Sequence, residues 1–230
     1  MTAHRAGLPP MPQRIAKLPV DARGYPIPFF VSYVDDVPDF RLADPAKLTQ
    51  CTKEGLCWLC GQRLGAYGVF VVGPMCAVNR TTSEPPSHRE CAEFAVQACP
   101  FLVHPDAHRR DANLPDDRQP PAGEMITRNP GVTVLWVTKD WSRYQVHQDG
   151  RTLIRLGDPS QVISWCQGRT ASEDEIFASI ETGLPALREI CDREANVISR
   201  TRAHAALTQD VVAGCRALGV NLAHYTGARL

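Results

Sequence analysis

The order of hydrophobic and polar residues predicts a β-hairpin near the start of the chain. The aromatic and β-branched run FFVSYV (29–34) is typical of a strand, and a second strand is predicted over DFRLAD (39–44). Asp35-Asp36 lies between the two runs and favours the connecting turn. Asp44-Pro45 then favours a short helical turn toward Cys51, because proline suits the first helical position.

A second group of strands is predicted between residues 132 and 156. The apolar run VTVLWV (132–137) is typical of a buried strand. RYQVHQ (143–148) and RTLIRL (151–156) flank Asp149-Gly150, and an Asp-Gly pair provides the positive φ values of a type I′ turn. These two segments predict the clearest hairpin of the chain.

Helical spacing replaces strand spacing after residue 158. Asp158-Pro159 predicts a short helix that ends at Gly168. Ser172 and Glu175 have the spacing of a capping box ahead of IFASI, and Gly183 is expected to end this second helix.

Two further helices are predicted at the C-terminal end. One begins at Pro185, and the other covers about 208–218 and stops at Gly219. The fold class is therefore predicted as α+β, with the helices gathered toward the C-terminus. The residues that fall roughly on one face of the helix from Pro185 are Leu184, Leu187, Cys191, Ala195 and Ile198.

The composition predicts a folded, soluble protein and contains one anomaly. Of 230 residues, 43% are hydrophobic, and 25 basic residues balance 25 acidic ones. A net charge of zero argues against a protein that coats DNA or an anionic membrane. The chain has neither an apolar run that predicts a transmembrane helix nor the apolar core of a secretory signal, so a cytoplasmic location is expected. Nine cysteines in a reducing compartment then favour metal binding over disulfides.

The first candidate ligand pair is Cys57-x-x-Cys60, which Gly61 follows. Such a turn can direct two thiolates at one metal ion, and the glycine relieves crowding where the chain turns back. Residues 62–73 are expected to form a small hairpin, with the apolar residues 69–72 as its second strand.

The second candidate pair is His88 and Cys91. Ser87 and Glu90 have capping-box spacing, which predicts a helix that starts at His88. Two residues three apart share a face of a helix. The first turn also favours a thiolate, because the positive end of the helix dipole lies there.

The Cys57-x-x-Cys60-Gly61 turn, called the knuckle below, is followed by a predicted hairpin and by two paired ligands at a helix N-terminus. This order resembles that of a treble-clef zinc finger. The resemblance extends over residues 57–101. It implies that Cys57, Cys60, His88 and Cys91 hold one tetrahedral zinc ion. Four protein ligands leave no position for water, so the implied zinc is structural.

Two other interpretations of these cysteines stay open. Cys57 and Cys60 are also compatible with ordinary buried thiols, since free cysteines are often buried. A rival metal site combines Cys57, Cys60, Cys91 and Cys99 as four thiolates around an iron–sulfur cluster. Cys99 stands two turns beyond Cys91 on the predicted helix, which makes one compact cluster awkward.

Cys76 is the candidate for nucleophilic chemistry. The Gly73-Pro74 turn before it can present the thiol at a rim, and His88, His104 or His108 are candidate bases. The alternatives are that Cys76 packs beneath the zinc knuckle or replaces one of the four ligands.

Nuclease activity is the second enzymatic hypothesis. Some treble clefs are elaborated into HNH-type nucleases, and a catalytic pair here would have to come from Asn79, His88 or His104. The first enzymatic hypothesis, by contrast, uses either Cys76 as the nucleophile or a pocket near Asn79 and Arg80. Residues 51–110 contain six Lys or Arg and five Asp or Glu, and this net charge of +1 does not favour nucleic-acid binding.

The chain as a whole is similar to short uncharacterised proteins of bacteria and their phages, in which a C-x-x-C…H-x-x-C segment follows a proline-rich start. Four regions are expected: a proline-rich extended arm (1–28), a zinc-binding module with an N-terminal hairpin (29–103), a loop or linker (104–123) and a hairpin plus helices (124–230). The leading functional hypothesis is a zinc-stabilised interaction module that binds a protein partner or self-associates through helices within 172–218. The alternative is an enzyme.

Overall fold

The computed structural model describes residues 3–105, 107–110, 112–115, 118, 122, 128–145 and 152–225. The strands of these residues are β1 (Val31–Val34), β2 (Val37–Ala43), β3 (Gly68–Val72), β4 (Thr81–Thr82), β5 (Thr133–Thr138), β6 (Trp141–Gln145), β7 (Thr152–Leu156), β8 (Gln161–Cys166) and β9 (Arg169–Thr170). The helices are α1 (Gln13–Ala16), α2 (Pro45–Glu54), α3 (Pro74–Val78), α4 (Arg89–Ala98), α5 (Pro100–Val103), α6 (Glu173–Asp192) and α7 (Val197–Ala217), followed by a 3₁₀ turn, Leu222–His224. The predicted α+β class is confirmed.

All strand pairs of the described residues are antiparallel, and they form three sheets. The strand orders are β1-β2, β3-β5-β8-β9 and β4-β7-β6. Every residue of β5 is buried, as the continuous apolar run predicted. Side chains from alternate positions of β3 and β5 therefore pack on two different sets of helices.

One face of the β3-β5-β8 sheet packs against α3, α6 and α7. We call this cluster the main core; it includes Phe70, Trp136, Ile180, Leu184 and Cys215. The opposite face carries Val69, Leu135 and Val137, which pack with Ala92 and Val96 of α4. Helix α4 thus covers the second face of the sheet.

A third cluster, the metal-side core, consists of Ile15, Cys57, Leu59, Cys60, Cys91 and Phe94. Ile15 belongs to α1, and its side chain is 3% exposed. The proline-rich arm is therefore not extended throughout, because one helical turn within it packs against residues far along the chain. Composition alone did not predict this turn, since its stabilising contacts are tertiary.

The two predicted hairpins are confirmed in their strands. β1 pairs with β2 around Asp35 and Asp36, whose φ angles of 48° and 62° are those of a type I′ turn. β6 pairs with β7 from Trp141–Leu156 to Gln145–Thr152. The Asp149-Gly150 turn between them and His147 lie outside the described residues.

Two expectations about strands are wrong. Residues 62–73 do not form a local hairpin: β3 pairs with β5, from Gly68–Thr138 to Val72–Val134. The segment after Asp158-Pro159 is β8 rather than a helix, because it alternates β-branched and aromatic residues beside β5. Its Gln167-Gly168 end is the turn into β9, with φ angles of 52° and 75°.

The predicted capping box at Ser172 is present. Its hydroxyl accepts a hydrogen bond from the Glu175 backbone N–H, and the Glu175 carboxylate accepts one from the Ser172 N–H. Gly183 and Pro185, however, do not divide two helices, because α6 continues through both. A Cβ at Gly183 would lie 2.7 Å from Met75 Cγ, so this glycine allows α6 to approach α3.

The last helix is longer than predicted. α7 begins at Val197 instead of about 208, although it ends before Gly219 as expected. The predicted shared face from Leu184 to Ile198 is also wrong, because Ala195 lies in the α6–α7 connection and Ile198 is 67% exposed.

Candidate metal centre

Cys57 and Cys60 lie in a tight knuckle closed by backbone hydrogen bonds. The Cys57 N–H donates to the Gln62 carbonyl and the Gly61 N–H donates to the Cys57 carbonyl, both at 2.8 Å. Gly61 has a φ of 70°, and a Cβ there would lie 2.7 Å from the Phe29 ring. The position requires glycine for both reasons. The predicted turn with a glycine after the second cysteine is therefore present.

His88 and Cys91 stand at the start of α4, but the cap differs from the prediction. The N-cap is His88, and no side chain caps this helix. Ser87 instead pairs through its backbone with Val69, with N–O distances of 2.8 and 3.0 Å. The capping-box spacing of Ser87 and Glu90 is thus not used, and the helix starts at Arg89 rather than at His88.

The structure brings the two pairs together. One potential ligand atom from each of Cys57, Cys60, His88 and Cys91 lies within 4.8 Å of the other three. The three cysteines are buried and His88 is half-buried. Among the residues that the structure describes, this is the group of cysteine, histidine and acidic side chains whose geometry can hold a metal ion.

The environment of Cys57 favours a thiolate. Its Sγ accepts hydrogen bonds from the backbone N–H groups of Cys60 at 3.4 Å and His88 at 3.3 Å. The neighbouring Cys60 and Cys91 thiols, and after them these two N–H groups, lower the pKa of Cys57 well below its usual range. The same contacts raise the pKa of Cys60 and of Cys91, because each lies beside a sulfur that holds the charge.

Hydrogen bonding fixes which His88 nitrogen faces the cysteines. Nε2 lies 3.0 Å from the Arg63 carbonyl oxygen, which can only accept, so Nε2 carries the proton. In the neutral imidazole Nδ1 is then unprotonated, and it lies 3.3 Å from Cys60 Sγ. A backbone carbonyl that orients the remote nitrogen of a ligating histidine is typical of metal sites.

The arm supports the centre from outside. Arg14 of α1 donates to the Glu90 carboxylate at 2.8 Å and also contacts the Gln62 amide oxygen. These contacts connect α1 both to the knuckle and to α4. Sequence reasoning missed Arg14 and the Arg63 carbonyl, because neither has a local motif: both contacts join segments distant along the chain.

Cys76 and Cys99 lie outside this cluster. Cys76 is in α3 and packs against the main core, so it is not one of the four clustered groups. Burial raises the pKa of Cys76 to about 11, which keeps its thiol protonated near neutral pH. Cys99 is the C-cap of α4, at the opposite end from Cys91, and burial raises its pKa as well.

The other candidate residues have structural contacts. Asn79 caps α3 and accepts a hydrogen bond from the Thr81 N–H at 3.0 Å. Arg80 pairs with Asp158 at 2.5 Å and lies over the Trp136 ring. The His104 carbonyl accepts a hydrogen bond from the Asn129 amide at 3.0 Å. His104 is not one of the groups clustered with His88.

Comparisons with known proteins give no relative. No protein-family model matches the chain, no curated protein is significantly similar to it, and no solved structure matches its fold. The resemblances to treble clefs and to bacterial and phage proteins therefore stay predictions. Within the described ranges, no helix has the length and apolarity needed to cross a bilayer.

Proposed function

We propose that Cys57, Cys60, His88 and Cys91 bind one structural zinc ion in a treble-clef-like module of a protein-binding protein. The orientation of His88 carries the metal assignment, because its unprotonated Nδ1 lies 3.3 Å from Cys60 Sγ while the Arg63 carbonyl holds Nε2. Three thiols and one imidazole are a donor set that zinc takes in closed tetrahedral sites.

Zinc suits this donor set better than an iron–sulfur cluster does. A four-thiolate cluster would need Cys99, which stands at the far end of α4 from Cys91. In the cluster, a nitrogen of His88 is the fourth donor beside the sulfurs of Cys57, Cys60 and Cys91. With four protein donors no coordination position stays open, so the ion would neutralise the thiolates and join the knuckle to α4.

Three observations support a role in binding a partner rather than in catalysis. The four donors are all used to hold the ion, and the Cys76 thiol is protonated near neutral pH because burial raises its pKa to about 11. Large apolar side chains are exposed on the β1–β2 hairpin at Tyr33 and Val37 and on α7 at Ile198. Aromatic and aliphatic side chains of this kind are enriched at protein interfaces, whereas a neutral chain lacks the footprint of a nucleic-acid binder.

Metal analysis of the purified protein tests the zinc assignment. We expect one zinc per chain, and replacement by cobalt should give the visible absorption of a tetrahedral thiolate site. His88→Ala should reduce the zinc content, whereas Cys99→Ser should retain it. A brown protein with iron and sulfide, or loss of metal in Cys99→Ser, would contradict the proposal.

Two further measurements test the binding role. Cys76→Ala should keep both the fold and the zinc; zinc release would make Cys76 a ligand. Titration with DNA and RNA at increasing salt should show no binding. Binding that weakens steeply with salt would replace the protein partner by a nucleic acid, because phosphate contacts release counterions.

A further inference from the structure

The buried residues of the metal-side core come from three segments, and one of these segments carries no ligand. The knuckle and the start of α4 each supply two of the four clustered donors. The third segment is α1, which contributes the buried side chain of Ile15. Met11 and Leu18, which flank α1, pack against the same core and are half-buried. The arm therefore lies against the donors without supplying one of them.

Arg14 connects α1 to both of the segments that carry ligands. Its guanidinium donates a hydrogen bond to the Glu90 carboxylate at 2.8 Å, and it also contacts the amide oxygen of Gln62. Gln62 belongs to the knuckle, because its carbonyl accepts a hydrogen bond from the Cys57 N–H. Glu90 directly precedes Cys91 in α4. One side chain of the arm thus bridges the two halves of the proposed zinc site.

Of these three segments, α1 has the weakest attachment. It is a helix of four residues, and so short a helix does not form by itself in water. The side chains of the Arg14–Glu90 pair are 40% and 52% exposed, and exposed ion pairs contribute little stability. Helix α4, by contrast, buries Ala92 and Val96 against the sheet. Segments with few buried apolar contacts open first, so we expect α1 to open before the knuckle or α4.

Opening of α1 would uncover the part of the cluster that is otherwise closed. With four protein donors, an ion can leave only after a competing ligand reaches the site or a donor departs. The three cysteines are buried. His88 is half-buried, and the Arg63 carbonyl holds its Nε2. Movement of Ile15 away from the cysteines is therefore the change that exposes the sulfurs with the least loss of structure.

We propose that α1 is a cover over the three cysteines and that Arg14 holds this cover closed, so that zinc leaves the protein through the opened arm. This inference rests on the proposed zinc site. Arg14 is a positioning residue, because it contacts Glu90 and Gln62 rather than a donor atom. The ion is retained while the arm is docked, and it becomes available to a competing ligand when the arm opens.

Transfer of zinc from the loaded full chain to a chromogenic chelator tests the cover. Arg14→Ala should speed this transfer about three- to tenfold, because two hydrogen bonds to the ligand segments are lost. Arg14→Lys should restore part of the difference, since an ammonium group can still bind one of the two acceptors. Arg89→Ala is the matched control: Arg89 directly follows His88, but it bonds to Glu93 and Gln161, so the rate should not change.

Hydrogen exchange measured by NMR separates a cover from a contact that only adds stability. The Ala16 N–H donates to the Pro12 carbonyl at 2.9 Å, so exchange of this amide reports the opening of α1. Arg14→Ala should accelerate this exchange and the zinc transfer by the same factor, because both require the same opening. Faster exchange with unchanged zinc transfer would overturn the proposal. Unchanged exchange would also overturn it, since Arg14 would then not hold α1.

The apolar contact of the cover is tested by Ile15→Val. Loss of one methylene group from this buried side chain should speed zinc transfer about two- to tenfold. Ile180→Val makes the same change in the main core and should leave the transfer rate unaltered. Equal acceleration by both variants would assign zinc release to the stability of the whole protein and would contradict a cover at α1.

The zinc content of the purified chain distinguishes failure of this inference from failure of the proposed function. A chain that binds no zinc would overturn both. One zinc per chain, with equal transfer rates for the unmodified protein, Arg14→Ala and Ile15→Val, would support the zinc site and overturn the cover alone.

Discussion

The metal-side core and the main core differ in the side chains that they bury. Three of the six buried residues of the metal-side core are cysteines, and its large buried apolar side chains are Ile15, Leu59 and Phe94. Other apolar side chains, Met11, Leu18, Phe30 and Leu64, pack against it and are only partly buried. The main core buries large aliphatic and aromatic side chains between a sheet and three helices. The comparison indicates that the proposed zinc would contribute most to the metal-side core, because less apolar surface is buried there to offset the loss of chain entropy.

Removal of the metal should have the largest effect. Chelation, or Cys57→Ser, should unfold the metal-side core, because the free energy of binding the proposed structural zinc, about 10–16 kcal/mol in zinc-finger peptides, then no longer contributes to folding. Hydrogen exchange should show lost protection in the knuckle and the start of α4, with most protection of α6 retained. Cys166→Ser is the matched control, since Cys166 is also buried but lies in β8, outside both the cluster and the metal-side core. Unchanged protection of the knuckle would refute the comparison.

Truncation of a side chain in the main core should lower the stability of the protein without changing its zinc content. Leu184→Ala should lower the free energy of unfolding by about 2–5 kcal/mol, because Leu184 is 2% exposed and leaves a cavity. The zinc content should not change. Leu187→Ala, at the partly buried edge of the same core, should cost clearly less. Urea denaturation and metal analysis measure both quantities, and zinc loss in Leu184→Ala would show that the two cores are not independent.

A smaller effect is expected at the contact of α6 with α3. Gly183→Ala should destabilise the protein by about 1–3 kcal/mol, because the new methyl group would overlap Met75. Helix propensity alone predicts the opposite sign, a gain of about 1 kcal/mol. Thr182→Ala at the exposed neighbouring position should be close to neutral. A stabilised Gly183→Ala protein would mean that Met75 moves aside without cost.

The smallest effect concerns pH. Arg169 and the Ser172 N–H donate to Glu175, and these bonds lower the pKa of this carboxyl to about 2. Because the folded-state pKa lies below the ordinary value, this contribution is complete above about pH 4.5 and is lost as the pH falls toward 2. Glu175→Gln should therefore flatten the decline of stability between about pH 5 and about pH 2, measured by urea denaturation. An unchanged slope would assign the decline to other carboxylates.

The sequence predicted features whose determinants are local. The knuckle, the His88–Cys91 pair, the Asp35-Asp36 turn and the Ser172 cap each depend on residues within a few positions of one another. These motifs are found in the structure as predicted, because the geometry of turns and helix ends places residues at such short spacings next to one another. The α+β class followed in the same way from the change of period along the chain.

Features that depend on distant contacts could not be predicted. Asp158-Pro159 and Gly168 have the spacing of helix ends, yet pairing with β5 makes the intervening residues a strand. Gly183 and Pro185 are residues that often end a helix, yet α6 continues through both of them and Gly183 lies against Met75. The same holds for α1, a single turn whose Ile15 is buried in the same cluster as Cys57 and Phe94.

The pairing of β3 with β5 has a consequence for synthesis on the ribosome. β3 ends at Val72 and its partner begins at Thr133, so 61 residues must be added before the two strands can meet. At about 5–20 residues per second, the apolar strand GVFVV emerges without its partner for several seconds. The knuckle and α4 are synthesised earlier, so the proposed zinc site could form during this interval. An unpaired apolar strand promotes aggregation, so we expect nascent chains to aggregate most readily between the synthesis of β3 and that of β5. Slower translation would lengthen this interval.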